Sequence, residues 1–183
     1  MKKTYLLTPG PTQIPDNIRS VASQQVLNHR TPQFVEIVSR VRTGLKKLFQ
    51  TNQEVLILTS SGTGGMEACV SNLFSPGDAV LVINGGKWGD RWSKISKAFA
   101  LNVTELKLER GKAADLSELE KILRSNSNIR AVLFQACETS TGVAMPTKDI
   151  AELVSKFPNC ISVCDAISAL GAAEIRMDQW NLD

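Results

Sequence analysis

The sequence is poor in the residues that build metal centres and disulfide frameworks. It has one histidine and four cysteines in 183 residues, and no two cysteines form a C-x-x-C pair. This spacing predicts neither a zinc site nor a disulfide-stapled fold. We expect the cysteines to pack as small apolar residues. They are Cys69, Cys137, Cys160 and Cys164.

Long apolar runs and a strong charge imbalance are also missing. No apolar run approaches the about 20 residues that span a bilayer, and a Pro-Gly-Pro turn follows the first residues instead of a signal-peptide core. The net charge is +3, from 21 basic and 18 acidic residues that are scattered along the chain. Such a balance disfavours a nucleic-acid partner but is compatible with a small anionic ligand. We therefore expect a cytoplasmic protein with no membrane and no nucleic-acid partner.

Four short aliphatic runs without alternation predict strands that are buried on both faces, and a fifth run is weaker. The four runs cover 55–58, 79–83, 131–134 and 161–164, and the weaker one covers 102–107. Strands of this kind belong to a parallel sheet with helices on both sides. Amphipathic segments between the runs predict those helices, one of them capped by Asp115 or Ser117. The sequence thus predicts an α/β fold with three layers, α/β/α, around a mostly parallel sheet.

The segment before these runs does not follow the alternating pattern. A turn-rich stretch over 7–12 precedes a helix that the sequence predicts over 16–26. Such a stretch either reaches another subunit or forms an ordinary surface loop. We divide the chain into an N-terminal arm and helix, 1–30, and a large domain, 31–183.

Polar and glycine-rich residues follow four of the predicted strands. In an open parallel sheet, ligands bind at the carboxyl ends of the strands, so we expect one crevice lined by all four segments. The segments are 59–65, 84–89, 138–142 and Asp165.

The first of these segments has the chemistry of a phosphate cradle. Its glycines let backbone N–H groups converge, its hydroxyls add donors, and a helix begins there. It matches neither the P-loop nor the G-x-G-x-x-G signature, so a nucleotide site lacks its usual motif. A tight turn from strand to helix explains the glycines equally well.

Trp88 has two interpretations. It lies in helical phase with Trp92, which favours a core tryptophan. Glycines at 85, 86 and 89 instead leave room for a flat ligand against its ring, where an offset stack contributes about 0.5–1.5 kcal/mol.

Asp165 and Thr139 are similarly ambiguous. A carboxylate at the end of an apolar strand is costly to bury unless it meets a cation or donors. Asp165 either faces a protonated ring nitrogen or caps the next helix. Thr139 either donates to a ring oxygen or orders the turn at 141–142.

Six segments in register resemble the class-V aminotransferases among fold-type-I pyridoxal 5′-phosphate (PLP) enzymes, of the alanine–glyoxylate and serine–pyruvate type. They are TPGPT (8–12), NHRTPQF (28–34), SGTGGMEA (61–68), GKWGDR (86–91), ETSTG (138–142) and DAISALG (165–171). Each motif is weak alone, and the six together span the whole chain.

The resemblance implies a role for each candidate residue. Ser61, Gly62 and Thr63 would hold the phosphate of PLP. Trp88 and Ile167 would lie on the two faces of the pyridine ring. Thr139 would reach the phenolic oxygen, and Asp165 would keep the ring nitrogen protonated. The arm residues would line the substrate entrance near a partner subunit of a homodimer; they are Pro9, Gly10 and Pro11.

The resemblance also implies an amino transfer from a small amino acid, alanine or serine, to a 2-oxo acid such as glyoxylate or pyruvate. The family's Schiff-base lysine lies some two dozen residues beyond the aspartate, so we expect this chain to be a fragment that lacks it and is inactive alone. An alternative is a non-catalytic PLP- or phosphate-binding subunit, as in soluble hydrogenase small-subunit-like proteins. An ordinary nucleotide-binding domain is a third alternative.

Overall fold

A computed structural model describes residues 5–183, and the chain divides into two compact units between Leu45 and Lys46. The first unit contains helix α1 (Asp16–Ala22), and helix α2 (Pro32–Phe49) begins in it. The helix predicted over 16–26 ends at Ala22, where Ser23 donates its N–H to carbonyl oxygens of the last turn. The domain boundary after residue 30 stays a prediction.

The second unit contains a parallel sheet of four strands, β1 (Ala79–Asn84), β2 (Asn102–Lys107), β3 (Ile129–Gln135) and β6 (Ile161–Asp165). Their order in the sheet is β2-β1-β3-β6. These strands confirm four of the five predicted runs. Because every neighbouring pair is parallel, the carboxyl ends of all four strands lie at the same edge.

Helices cover both faces of this sheet, which confirms the three-layer prediction. Alternate residues of β1 point to opposite faces, with Val80 and Val82 in one apolar cluster and Leu81 and Ile83 in another. The first cluster includes residues of α3 (Gly62–Leu73) and α4 (Lys87–Ala98). The second includes residues of α5 (Leu116–Ser125) and α6 (Thr147–Val154).

The strand predicted over 55–58 is wrong. The segment has no regular secondary structure, and Leu56 is 81% exposed. A strand needs a hydrogen-bonded neighbour, and among residues 5–183 no strand pairs with this segment. The segment is apolar, but without a neighbouring strand among the described residues it does not join the sheet.

Several short elements were not predicted. Strands β4 (Cys137–Glu138) and β5 (Val143–Ala144) form a small antiparallel hairpin after β3, and α7 (Met177–Trp180) follows β6. Asp115 caps α5 by accepting hydrogen bonds from the N–H and the hydroxyl of Ser117, which decides between the two predicted caps.

The four cysteines are free thiols, and each packs in or against an apolar cluster, as predicted. Burial raises the pKa of Cys160 to about 11. Within residues 5–183, no helix combines the length and the apolar character needed to cross a bilayer.

Candidate functional site

The N-terminus of α3 presents backbone donors that have no acceptor in the described chain. Ser61 is the N-cap, but its side chain forms no capping hydrogen bond, and the first N–H bonded across the turn is that of Gly65. The N–H groups of Gly62 and Thr63 therefore have no intramolecular acceptor within residues 5–183, as expected for the first amides of a helix. This arrangement suits an anion.

Gly62 lies directly against the segment that follows β6. A Cβ atom at Gly62 would be 2.6 Å from Cδ1 of Ile167, so the two residues are in close contact. Gly62 and Asp165 also line the same open cavity, whose volume is about 680 Å³. The proposed phosphate segment and the proposed nitrogen partner thus lie at one site.

Arg91, on α4, joins two of the candidate segments. Its guanidinium donates to the hydroxyl of Thr63 at 2.6 Å and lies 4.3 Å from the ring centroid of Trp88. Arg91 was not among the predicted site residues. Its position one helical turn after Trp88 is the signal that would have indicated it.

Trp88 is not a core tryptophan. Its side chain is half-buried, whereas Trp92 is 1% exposed and donates its ring N–H to the carbonyl of Phe134. Their shared helical phase favoured a buried environment for both rings, but only the Trp92 ring is fully buried.

The glycines beside Trp88 have a packing role, and the room that they leave against its ring stays a prediction. A Cβ at Gly86 would lie 2.8 Å from the carboxyl carbon of Glu138, and one at Gly89 would lie 2.6 Å from the Cα of Asn84. These glycines allow α4 to approach β1 and the 138–142 turn closely.

Thr139 and Asp165 are connected through the segment that follows β6. The Thr139 hydroxyl forms a 2.6 Å hydrogen bond with that of Ser168. One carboxylate oxygen of Asp165 accepts from the N–H of Ile167 at 2.9 Å, and the other has no hydrogen-bond donor in residues 5–183. The pKa of Asp165 is raised from its ordinary value, chiefly by desolvation and to a smaller extent by nearby Glu138. The Ile167 hydrogen bond and the charge of Arg91 act in the opposite direction.

Glu138 is the first residue of the ETSTG motif, and no function was predicted for it. It is fully buried and accepts hydrogen bonds from the N–H groups of Trp88 and Gly89. In a sequence, a glutamate in a polar turn is typical of a surface residue, so burial was not apparent.

These contacts link the four candidate segments in a ring: Thr63 to Arg91, Trp88 to Glu138, Thr139 to Ser168, and Ile167 to Gly62.

Three predicted site residues lie in the first unit, where they are exposed: Pro9, Gly10 and Pro11. The Thr8 hydroxyl donates to the Pro11 carbonyl. Their role at a substrate entrance stays a prediction.

Comparison with known proteins matches residues 4–183 to the model of the family described as aminotransferase class-V. The chain belongs to the class-V aminotransferase family. It is 37% identical over 183 residues to the soluble hydrogenase 42 kDa subunit of Anabaena cylindrica, covering 99% of this chain and 48% of that protein. It is 34% identical over 186 residues to the L-aspartate–glyoxylate aminotransferase of Paracoccus denitrificans, covering 97% and 46%.

Among solved structures, the alanine–glyoxylate aminotransferase of Nostoc sp. superposes with a TM-score of 0.92 at 26% identity, covering 100% of this chain and 48% of that one. The chain therefore spans about half the length of the relatives that it matches.

Proposed function

We propose that the complete protein is a PLP-dependent aminotransferase, which moves an amino group from a small amino acid, alanine or serine, to a 2-oxo acid such as glyoxylate or pyruvate. The observation that supports it most directly is that Gly62 and Asp165 line one cavity, while hydrogen bonds join Arg91 to Thr63, Glu138 to Trp88, and Thr139 to Ser168. The names of relatives that act on glyoxylate with alanine or aspartate support the substrate class.

The residues present fit the phosphate of PLP. Three donors lie at the positive, N-terminal end of α3. They are the N–H groups of Gly62 and Thr63, which have no acceptor in the described chain, and the Ser61 hydroxyl, which forms no capping hydrogen bond. The Arg91 guanidinium, bonded to Thr63, adds a positive charge close to that end. We propose that these groups hold the dianion, with no metal involved.

The remaining residues fit an aromatic ring that carries a basic nitrogen and a phenolic oxygen. Trp88 supplies a flat surface, and Ile167, which is 66% exposed, supplies an apolar one. The hydroxyl of Thr139, already paired with that of Ser168, is the proposed donor to the phenolic oxygen.

The free oxygen of Asp165 is the proposed partner of the ring nitrogen. A half-buried carboxylate whose pKa is raised by desolvation gains most when a cation reaches it. When bound, PLP supplies an electron sink for the bonds around the amino-acid α-carbon. Asp165 holds a proton on the ring nitrogen, which keeps that sink effective.

A second candidate function is a non-catalytic PLP-binding subunit of a larger assembly. The specific observation in its favour is the 37% identity to a soluble hydrogenase 42 kDa subunit, which is higher than the identity to the named glyoxylate aminotransferases. Both candidates use the same cavity, and they differ in whether amino transfer follows binding.

The binding test uses 4′-deoxypyridoxine 5′-phosphate, which has the phosphate, the ring nitrogen and the phenolic oxygen but no aldehyde. Its binding is therefore independent of any lysine. At a concentration of about 100 times Kd, a ligand specific for the folded state adds roughly 2.7 kcal/mol of stability. We expect this analogue to raise the melting temperature of the chain. A rise with ATP or NAD but not with the analogue would contradict the proposal and favour a nucleotide site.

The activity test uses the complete protein with PLP, glyoxylate and one donor amino acid at a time. Formation of glycine together with the 2-oxo acid of the donor is the expected result. If the complete protein binds PLP but transfers no amino group from alanine, serine or aspartate, the non-catalytic candidate replaces the first.

A further inference from the structure

Glu138 is a carboxylate with no solvent exposure at the start of the turn between β4 and β5. A buried carboxylate is costly unless it meets cations or several hydrogen-bond donors. Within the described part of the chain, Glu138 forms no salt bridge with any lysine, arginine or histidine. Hydrogen-bond donors must therefore satisfy its oxygen atoms.

Five donors surround this carboxylate, and they come from three segments. Oε2 accepts from the N–H of Trp88 at 3.1 Å and from that of Gly89 at 3.2 Å. The same oxygen accepts from Nε2 of Gln135, also at 3.1 Å. Oε1 accepts from the hydroxyl of Ser140 at 2.6 Å and from its N–H at 3.2 Å.

The Glu138 side chain thus caps the N-terminus of α4, although Glu138 lies 50 positions from Trp88 and 49 from Gly89 in the sequence. The N-cap residue of α4 is Gly86, which has no side chain to satisfy them. A carboxylate at a helix N-terminus also interacts favourably with the helix dipole. The orientation of the first turn of α4, and of Trp88 within it, therefore depends on Glu138.

Gly86 makes this contact possible. A Cβ atom at position 86 would lie 2.5 Å from the Ser140 hydroxyl oxygen and 2.9 Å from Cγ of Glu138. The backbone before α4 thus packs against the aliphatic part of Glu138, so that the carboxylate and the amides meet at hydrogen-bond distance.

We propose that Glu138 is a positioning residue of the candidate cofactor site, which sets the Trp88 ring relative to the Thr139 hydroxyl. Glu138 is covalently adjacent to Thr139 and hydrogen-bonded to the backbone of Trp88. It therefore couples the group that stacks on a ring to the group that donates to the same ring. This inference rests on the proposed function, because it assumes an aromatic ring between the two.

The test measures the Kd of 4′-deoxypyridoxine 5′-phosphate and of inorganic phosphate for wild type, Glu138→Ala and Glu138→Gln. We expect Glu138→Ala to weaken binding of the ring-bearing analogue by roughly two- to tenfold, the range that corresponds to one aromatic stack. Phosphate affinity should change little, because its proposed backbone donors lie at the start of α3, and Arg91 stays bonded there to the Thr63 hydroxyl. Glu138→Gln keeps one acceptor oxygen among the five donors, so its loss should be smaller.

Amide hydrogen exchange provides a readout that does not depend on any ligand. The N–H groups of Trp88 and Gly89 should lose protection in Glu138→Ala and recover part of it in Glu138→Gln. The matched control is Glu105→Ala, because Glu105 accepts from Lys97 at the other end of α4 and from Asn84, and within residues 5–183 it forms no hydrogen bond with Trp88 or Thr139. The control should leave analogue affinity and Trp88 exchange unchanged.

The outcomes separate this inference from the proposed function. Wild-type chain that binds no analogue overturns the proposed function, and this inference falls with it. Analogue binding that is weakened by Trp88→Ala but unchanged in both Glu138 variants overturns the inference alone. An equal loss of affinity for phosphate and analogue also overturns it, since that result indicates a general loss of structure. If Glu138→Ala does not fold, Glu138→Gln and the exchange data decide.

Discussion

The hydroxyl groups of Thr139 and Ser168 lie 2.6 Å apart, although 29 positions separate them in the sequence. This hydrogen bond joins the turn after β3 to the segment after β6, the two strands that pair at that edge of the sheet. Because Glu138 binds the start of α4 and Ile167 packs against Gly62, one contact at Thr139 completes the connection between four segments. The candidate site is therefore a linked set of turns rather than four independent loops.

Substitution of the two tryptophans of α4 should destabilise the fold to very different extents. Trp92→Ala removes a buried ring and should cost about 3–5 kcal/mol of unfolding free energy. Trp88→Ala removes a half-buried ring and its contact with Arg91, and should cost about 1 kcal/mol. Urea unfolding of the two variants measures both values. Trp88→Ala should also weaken the PLP analogue by roughly two- to tenfold. Similar unfolding costs for the two variants would contradict this assignment.

Asp165→Asn should stabilise the chain without ligand and weaken PLP binding. Burial raises the pKa of Asp165, so the folded state favours the neutral acid. The associated stability is present below the ordinary aspartate pKa and is lost as the pH rises through the higher folded pKa. Asparagine keeps an oxygen for the Ile167 N–H but carries no charge, so the variant should melt higher at neutral pH.

The pH series supplies the check for Asp165→Asn. The difference in melting temperature should vanish near about pH 3, where the wild-type carboxyl is neutral in both states. A gain of about 1 kcal/mol corresponds to roughly 2–4 °C for a chain of this size. Analogue affinity should fall by roughly ten- to a hundredfold, since hydrogen bonds to charged groups contribute about 1.5–3 kcal/mol. A variant that melts lower at neutral pH would show that the carboxylate is needed for folding.

Gly86→Ala should be destabilising because the added methyl group has no space. Its Cβ would approach both Ser140 and the buried Glu138 within 3 Å, and overpacking of this kind costs about 1–3 kcal/mol. Gly44→Ala in α2 is the matched control. Nothing lies within 4 Å of that added Cβ, so the change should stabilise by about 0.4–1 kcal/mol. Chemical unfolding of the two variants should give effects of opposite sign.

The sequence was sufficient for the elements whose signal is local. The strand at 131–134 was predicted because its residues are continuously apolar, and all of them prove to be buried between two helical layers. The cap of α5 was narrowed to two residues because only Asp115 and Ser117 have suitable side chains at that helix start. By contrast, the run at 55–58 has the same composition but lacks a partner strand among the described residues. Pairing is a non-local property that composition does not report.

The candidate site followed the same division. The turns that contain Trp88, Thr139 and Asp165 were predicted from where strands end, and each follows a strand of the sheet. The turn that contains Gly62 was predicted in the same way from the run at 55–58, which forms no strand, and its place beside the others is shown by its contact with Ile167. The residues that connect those turns were missed because their partners are far apart in sequence. Arg91 bonds to Thr63 across 28 positions, and Glu138 bonds to Trp88 across 50. Such contacts appear only once the sheet order is known.

The exposed aliphatic stretch at 55–58 has a consequence for handling the isolated chain. Four uncharged residues without proline, which pair with no strand in the described chain, form a surface onto which an identical segment of another copy can add. The ion pair between Glu54 and Lys46 places charge at only one end of the stretch. Self-association that increases with protein concentration is therefore the hazard to control in every titration described above.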